Sequence, residues 1–184
     1  MPIIKIYPSK RPVRGILQYI TRGDTVPEEL IRTNGCDILD AEQEFSDIAR
    51  YYNKPTGAGN RTYYHMIVSY NTTYEKISPE EVRDMVKDLC QRTKIDCYQW
   101  YLAVHTDRPD HMHAHVVINN VSYRGDRKQH VKAGKSFQST GKLRHELMEK
   151  GNVICKEHGY EHSLVNAKSK AQERLTRAEL ALAA

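Results

Sequence analysis

Apolar residues recur every three or four positions in three segments of the chain, which is the spacing of one face of an α-helix. Each segment begins at a residue suited to a helix start: Pro12, Asp40, and Ser78, where Glu81 completes a capping box. A fourth helix is predicted over residues 139–158, with Gly151 as an interruption. The apolar positions of the first three helices are Val13, Ile16, Leu17 and Ile20; Ala41, Phe45, Ile48, Ala49 and Tyr52; and Val82, Met85, Val86, Leu89 and Cys90.

Between these helices lie short runs rich in β-branched and aromatic residues, which are typical of β-strands. They cover residues 3–7, 62–71, 98–106 and 112–121, with a further extended segment near residues 31–36. The resulting order of elements predicts the α+β class. We expect a two-layer sandwich with a central antiparallel sheet and helices packed on one face. A mixed sheet with an isolated helical tail is the alternative.

Four histidines lie between residues 105 and 115. Alternation along the strand 112–121 places His111, His113 and His115 opposite its apolar face, and antiparallel pairing with the strand 98–106 brings His105 beside them. Three neutral imidazoles suit Mn²⁺, Fe²⁺, Co²⁺, Ni²⁺ or Zn²⁺ and leave coordination positions open, as catalytic sites do. Asp107, in phase with His105, would orient an imidazole or accept a proton. Strand phase alone does not decide which two of the other three histidines bind, and a polar, solvent-facing sheet surface is the alternative.

Tyr19 lies within the first predicted helix but outside its apolar face, roughly 110° from the centre of that face at 100° per residue. The helical pattern therefore predicts a half-exposed side chain. A packing residue at the edge of the helix explains the pattern as well as a nucleophile does, since the chain has 12 tyrosines.

The chain has 184 residues and a net charge of +5, and 39% of its residues are hydrophobic and 28% charged. These values exclude a disordered tail and a membrane protein and fit one domain. Two segments carry the basic excess: residues 1–22 have five basic residues and no acidic one, and residues 122–142 have six against one. This distribution favours a polyanionic partner, although two solvated loops would show the same charge. The four cysteines lack CxxC spacing and indicate reduced thiols of a cytoplasmic protein.

Several motifs stand in a fixed order along the chain. His105-Thr106-Asp107, followed by His113-Ala114-His115 and Asn119, forms an HxD…HxHxxxN pattern. Ile16-Leu17-Gln18-Tyr19-Ile20 precedes it, and further motifs fall at residues 34–36, 41–52, 64–70, 78–81 and 121–123. Over about residues 3–138, this ordered set resembles the relaxase, or mobilisation nuclease, family of conjugative elements, a branch of the HUH endonucleases.

The resemblance implies an HUH-type fold and a nuclease that recognises an origin of transfer and nicks one strand. It implies that Tyr19 attacks the phosphate and stays attached to the 5′ end. It further implies that His105, His113 and His115 hold a divalent metal, with Mn²⁺ or Mg²⁺ expected first and Zn²⁺, Co²⁺ or Ni²⁺ as further candidates. We expect Asp107 or a histidine to take the phenolic proton.

Other residues are assigned supporting roles. Many relaxases have a shorter segment before the histidine pair, so we place His111 outside the metal shell, with Asn119 as a second supporting residue. We expect single-stranded or locally melted origin DNA, relaxosome accessory proteins and coupling proteins as partners, and a bacterial cytoplasmic monomer with no membrane contact. Residues 1–160 would form the nuclease domain, and 161–184 a helical tail leading into further domains. The expected DNA-binding residues are Arg14, Arg22, Arg61, Arg124, Arg127, Lys128, Lys132 and Lys135.

Three rival functions remain at this stage. A rolling-circle replication initiator would carry its tyrosine after the histidines, which makes Tyr160 the candidate. A non-catalytic single-strand-binding module would stack bases on residues such as Tyr63, Tyr101 and Tyr123, and it would need no metal. A metal hydrolase with a water nucleophile would cut DNA without forming a covalent adduct.

Overall fold

The computed structural model describes residues 3–22, 26–55, 59–70, 72, 76–107 and 112–160. Within them, an antiparallel sheet of five strands has the order β1-β3-β5-β4-β2. The strands are β1 (Ile3–Ser9), β2 (Ile31–Asn34), β3 (Tyr63–Ser69), β4 (Tyr98–His105) and β5 (His113–Ser122). The helices are α1 (Val13–Thr21), α2 (Ala41–Tyr51), α3 (Pro79–Gln91) and α4 (Gly141–Glu157), with short 3-10 turns at Glu28–Leu30 and Lys94–Cys97. The α+β class and the antiparallel sheet are confirmed.

The start of α3 forms as the sequence predicts. The Ser78 hydroxyl accepts the backbone N–H of Glu81, and the Glu81 carboxylate accepts the backbone N–H of Ser78 at 2.8 Å. This reciprocal pair satisfies two of the amides that a helix start leaves without a partner. Helix α4, by contrast, runs through Gly151 without the predicted interruption. Gly151 is buried beside Ile4, so packing against β1 outweighs the roughly 1 kcal/mol by which glycine disfavours a helix.

Helices cover both faces of the sheet, and not one face as predicted. On one face, α4 meets Ile4 of β1, and Tyr70 lies beside Cys90 of α3 and Cys155 of α4. On the opposite face, α1 and α2 contact β4 and β5. The hydrophobic pattern of a helix shows which of its own sides is buried, but not which face of the sheet it covers. We call the face beneath α1 and α2 the histidine face.

The hairpin of β4 and β5 lies at the centre of the sheet, and both strands are almost entirely buried. Its register pairs His105 with His113 and Ala103 with His115. Residues paired across an antiparallel ladder project from the same face. The three histidines therefore share the histidine face, as strand phase predicts.

The cysteines and the described helices show neither disulfide bonds nor a membrane span. All four cysteines are free thiols, and Cys90, Cys97 and Cys155 are buried. None of the described helices combines the length and the apolar character needed to cross a bilayer. The predicted tail over residues 161–184 lies outside the described residues.

Candidate active site

His105, His113 and His115 form a compact cluster at one end of the β4–β5 hairpin. One ring nitrogen of each lies within 4.8 Å of those of the other two, close enough to bind one ion. His105 and His115 are 1% and 2% exposed, whereas His113 is only partly buried. The predicted open sheet surface is therefore a covered pocket, which is accessible beside His113.

Hydrogen bonds orient two of these rings. Nε2 of His105 lies 2.7 Å from the carbonyl oxygen of Ile20, the residue that follows Tyr19. A carbonyl can only accept, so His105 carries its proton on Nε2 and keeps a lone pair on Nδ1. Nδ1 of His115 lies 2.8 Å from Nε2 of His65, while its own Nε2 is buried and has no hydrogen-bond partner among the residues that the structure describes.

His65 on β3 is a member of this cluster that the sequence analysis missed. It pairs with Val117 in the β3–β5 ladder, which places it on the histidine face. Its ring stacks on His115, with centroids 5.0 Å apart and planes at 24°. The alternation of His65 and Ile67 along β3 was a usable signal, but only the strand register brings this face next to His115.

Tyr19 in the last turn of α1 lies directly over the cluster. Its ring centroid is 5.6 Å from that of His115 and 6.1 Å from that of His105, both with edge-on geometry. The side chain is 56% exposed, as its position outside the apolar face of the helix predicts. The phenol is therefore next to the histidines and also accessible to a large substrate.

Arg22 and Asp107 lie at the edge of the same pocket. An Arg22 nitrogen is 3.2 Å from Nδ1 of His105 and 2.9 Å from an Asp107 carboxylate oxygen. Arg22 ends α1 with a left-handed backbone, φ 51°, which is uncommon outside glycine and asparagine. The hydrogen bond from Arg22 lowers the pKa of Asp107, so this carboxylate stays ionised and is a weak proton acceptor.

Burial keeps several of the imidazoles neutral. It lowers the pKa of His65 to about 4, with a smaller contribution from His105. It also lowers the pKa of His115 and that of His105. Neutral imidazoles offer a lone pair, which is the form that binds metals, and the unpartnered Nε2 of His115 shows that the donor set fits a cation.

Comparison with known proteins identifies this arrangement. Residues 19–160, beginning at the tyrosine itself, match the family described as "Relaxase: MobA/VirD2-like, nuclease domain". The chain belongs to this relaxase family. The assignment rests on most of the chain and includes every residue of the cluster.

Two Staphylococcus aureus relatives, each named Protein rlx, are 29% and 26% identical to the chain over 144 residues. Each match covers 78% of this chain but 40% and 38% of the relative, so the chain spans about two fifths of the length of these two relatives. A solved structure, "Molecular Basis of Vancomycin Resistance Transfer in Staphylococcus aureus", has a similar fold with a TM-score of 0.58. That likeness covers 87% of this chain and 95% of the other at 10% identity, so it concerns the fold alone.

Asn119 is part of the relaxase signature but lies away from the histidine cluster. It is four residues beyond His115 on β5, roughly 13 Å along the strand. Its amide nitrogen donates to the Phe45 carbonyl at 3.2 Å and to Gln99 at 2.8 Å, and its oxygen accepts from the Val121 backbone at 3.2 Å. It therefore joins α2 to the sheet, and the predicted role beside the metal ligands is corrected. His111, the other predicted supporting residue, lies outside the described residues.

The basic residues predicted to hold DNA fall in separate places in the relaxase fold. Arg22 lies at the edge of the pocket, and Arg14 is exposed on α1. Arg61 packs over the Tyr64 ring. Arg124, Arg127, Lys128, Lys132 and Lys135 follow Ser122, at the opposite end of β5 from the cluster and roughly 23 Å from His115 along the strand. Of these, Arg124 is paired with Asp96, which offsets its charge.

The tyrosines on which the rival functions depend are hydrogen-bonded, buried or packed away from the histidine cluster. Tyr160 donates to the Glu81 carboxylate at 2.6 Å, beside the helices on the far side of the sheet from the histidines. Tyr63 and Tyr101 are 4% and 2% exposed, which prevents them from stacking on bases in this conformation. Only Tyr123 of the three stacking candidates is partly exposed, and it packs beside Gly35.

Proposed function

We propose that the chain is the nuclease domain of a DNA relaxase, which nicks one strand at an origin of transfer and forms a 5′-phosphotyrosyl intermediate. The observation that carries the proposal is the position of Tyr19, which is in ring contact with two histidines of a potential metal site and is still 56% exposed. A nucleophile must reach the substrate and also lie beside the group that activates the phosphate.

In the proposed reaction, the Tyr19 oxygen attacks the scissile phosphorus in line with the bond to O3′. The new Oη–P bond forms as the P–O3′ bond breaks, the electron pair leaves on O3′, and the phenolic proton ends on that oxygen. The products are a free 3′ hydroxyl and a phosphotyrosine at the 5′ end. Because one phosphodiester replaces another, the step is reversible without ATP.

The chain's own residues have distinct tasks in this scheme. His105, His113 and His115 would hold a divalent metal, which as a Lewis acid polarises a phosphate oxygen when bound. Arg22 would release Nδ1 of His105 to the metal, remain anchored by Asp107, and offer its other N–H groups to the phosphate. The paired Asp107 is suited to holding Arg22. Because the lone pairs of the three histidines would be taken up by the metal, none of these rings would receive the phenolic proton.

The donor set narrows the choice of ion. Three imidazole nitrogens suit Mn²⁺, Co²⁺, Ni²⁺ or Zn²⁺, whereas Mg²⁺ prefers oxygen ligands. Of the two ions expected first, Mn²⁺ is therefore the better fit to this site. We infer that the site works with Mn²⁺ and three protein ligands.

The DNA partner follows from the same site. A single strand would place its scissile phosphate beside Tyr19, and the exposed basic residues would contact the backbone on either side. We further propose that the protein is a monomer in the bacterial cytoplasm. It would meet accessory and coupling proteins at the origin of transfer. Binding that depends on phosphates should weaken steeply with salt.

One experiment tests this function directly. Labelled single-stranded DNA carrying random sequence is incubated with the protein and Mn²⁺, and a denaturing gel detects covalent adducts. We expect an adduct with the wild-type protein, its loss in Tyr19→Phe, and its retention in Tyr51→Phe, which changes a more exposed tyrosine at the end of α2. Cleavage without any adduct would instead indicate a hydrolase with a water nucleophile, and binding without cleavage or metal would indicate a binding module.

A further inference from the structure

His65 on β3 contacts one of the proposed metal ligands. It lies outside the HxD…HxH pattern, which begins 40 residues later in the sequence. In the fold, its Nε2 lies 2.8 Å from Nδ1 of His115, and the two rings stack. The hydrogen bond joins His65 to one of the three histidines that would hold the metal.

The direction of this hydrogen bond decides what His115 can bind. If His65 donated, His115 would carry its proton on Nε2, where a buried N–H would have no partner. If His115 donates, its Nε2 presents a lone pair to the cluster. Only the second arrangement avoids an unsatisfied buried donor and provides a metal ligand.

We propose that His65 is a positioning residue that accepts the Nδ1 proton of His115 and thereby holds the Nε2 lone pair of His115 towards the metal site. The proposal rests on the proposed metal site, to which it adds a residue outside the HxD…HxHxxxN pattern. His65 then carries its own proton on Nδ1, and its stacked ring limits rotation of His115.

His105 supports this interpretation by comparison. Its Nε2 donates to the Ile20 carbonyl, so its Nδ1 is the nitrogen left to bind. Metal-binding histidines in proteins generally donate their second N–H to such a partner, which fixes the tautomer and the ring orientation. For His105 the partner is a backbone group, whereas for His115 it is a side chain that can be replaced.

The test compares two substitutions that differ in hydrogen bonding. Glutamine at position 65 places an acceptor near the position of the imidazole Nε2, whereas leucine fills similar space without one. His145→Leu is the matched control, because it removes an exposed histidine of α4 that pairs with Glu149, away from the cluster. Thermal melting of each variant checks that the fold is retained.

The first measurement is the dissociation constant for Mn²⁺ by calorimetry. We expect His65→Leu to weaken binding about 10- to 100-fold, the usual effect of removing a partner of a metal ligand. We expect His65→Gln to stay within a few-fold of the wild type and His145→Leu to match it. Equal affinity of His65→Leu and wild type would overturn the proposal.

The second measurement is NMR correlation of the histidine ring nitrogens with their protons, made without metal. We expect His115 of the wild type to carry its proton on Nδ1; a proton on Nε2 would contradict the role of His65. This result needs no substitution, so it decides the matter even if His65→Leu does not fold. If the wild-type protein binds no divalent ion, the proposed metal site fails, while the NMR result still tests the pairing of His65 with His115.

Discussion

Both faces of the sheet are buried, but they differ in the side chains that they bury. Under α3 and α4 the central strands present apolar side chains such as Met66, Leu102 and Val116, each fully buried. Under α1 and α2 the strands bury polar side chains as well, and these are His105, His115, Gln99 and Asn119.

The difference lies in what holds each face together. An apolar face is stabilised by the area removed from water and by close packing. A buried polar group needs a hydrogen-bond partner, so each one also fixes the position of a neighbour. The histidine face thus positions chemical groups, while the opposite face contributes mainly stability.

The largest expected effect is the loss of metal affinity on substituting one of the proposed histidine ligands, with little change in stability. We expect His113→Ala to weaken Mn²⁺ binding by more than about a hundredfold, since it removes a ligand and not merely a partner of one. Its effect on the free energy of unfolding should be small, because His113 is only partly buried. Calorimetry with Mn²⁺ measures the first quantity and urea unfolding the second. His111→Ala is the control, and a comparable loss of affinity there would reassign the third ligand.

Leu102→Ala tests the opposite face. Leu102 is fully buried between β4 and the helices, so its truncation should lower the free energy of unfolding by about 2–5 kcal/mol. Mn²⁺ affinity, measured under conditions where the variant is folded, should be unchanged. A loss of metal affinity comparable to that of His113→Ala would mean that the two faces are not separable.

Asn119→Ala tests whether a buried polar residue of the histidine face that lies away from the cluster contributes to metal affinity. The substitution leaves Gln99 and the Phe45 carbonyl without their donor, which should cost about 1–3 kcal/mol of stability. We expect no change in Mn²⁺ affinity, because Asn119 lies roughly 13 Å along the strand from His115. Reduced affinity at unchanged stability would restore the sequence-based role beside the ligands.

The smallest effect should come from Glu81, at the start of α3. Hydrogen bonds from Tyr160 and Ser78 lower the pKa of Glu81. A carboxyl group with a lowered pKa stabilises the fold above its unfolded-state pKa, and this contribution is lost as the pH falls. Glutamine keeps the capping hydrogen bond but removes the charge, so we expect Glu81→Gln to cost about 0.3–1 kcal/mol at pH 7 and progressively less towards pH 3. Urea unfolding at both pH values checks this, and a difference that grew on acidification would refute it.

Local patterns in the sequence predicted the parts of the fold that depend on neighbouring residues. The capping box of Ser78 and Glu81 marked the start of α3. Strand alternation placed His105 beside His111, His113 and His115, and the resemblance to relaxases selected three of the four. Helical periodicity predicted that Tyr19 is partly exposed, but it did not identify which of the 12 tyrosines is the nucleophile. The resemblance to relaxases supplied that choice, and the structure places Tyr19 against the histidines.

Features that depend on distant pairing could not be predicted in the same way. His65 meets His115 only through the register of β3 with β5, which local spacing does not encode. The positions of α1 and α2 over the histidine face depend on how the loops cross the sheet. The basic loop after Ser122 follows the histidine strand in sequence, but β5 is long enough to carry it to the opposite end of the sheet.

The hydrogen bond between His105 and the Ile20 carbonyl has a thermodynamic consequence. Ile20 belongs to the same helical turn as Tyr19, so this bond links a proposed metal ligand to the backbone that carries the proposed nucleophile. Linkage is reciprocal: if metal binding favours one position of that turn, fixing the turn in that position raises metal affinity by the same factor. DNA that orders Tyr19 in this position would therefore bind cooperatively with the metal, without touching any histidine.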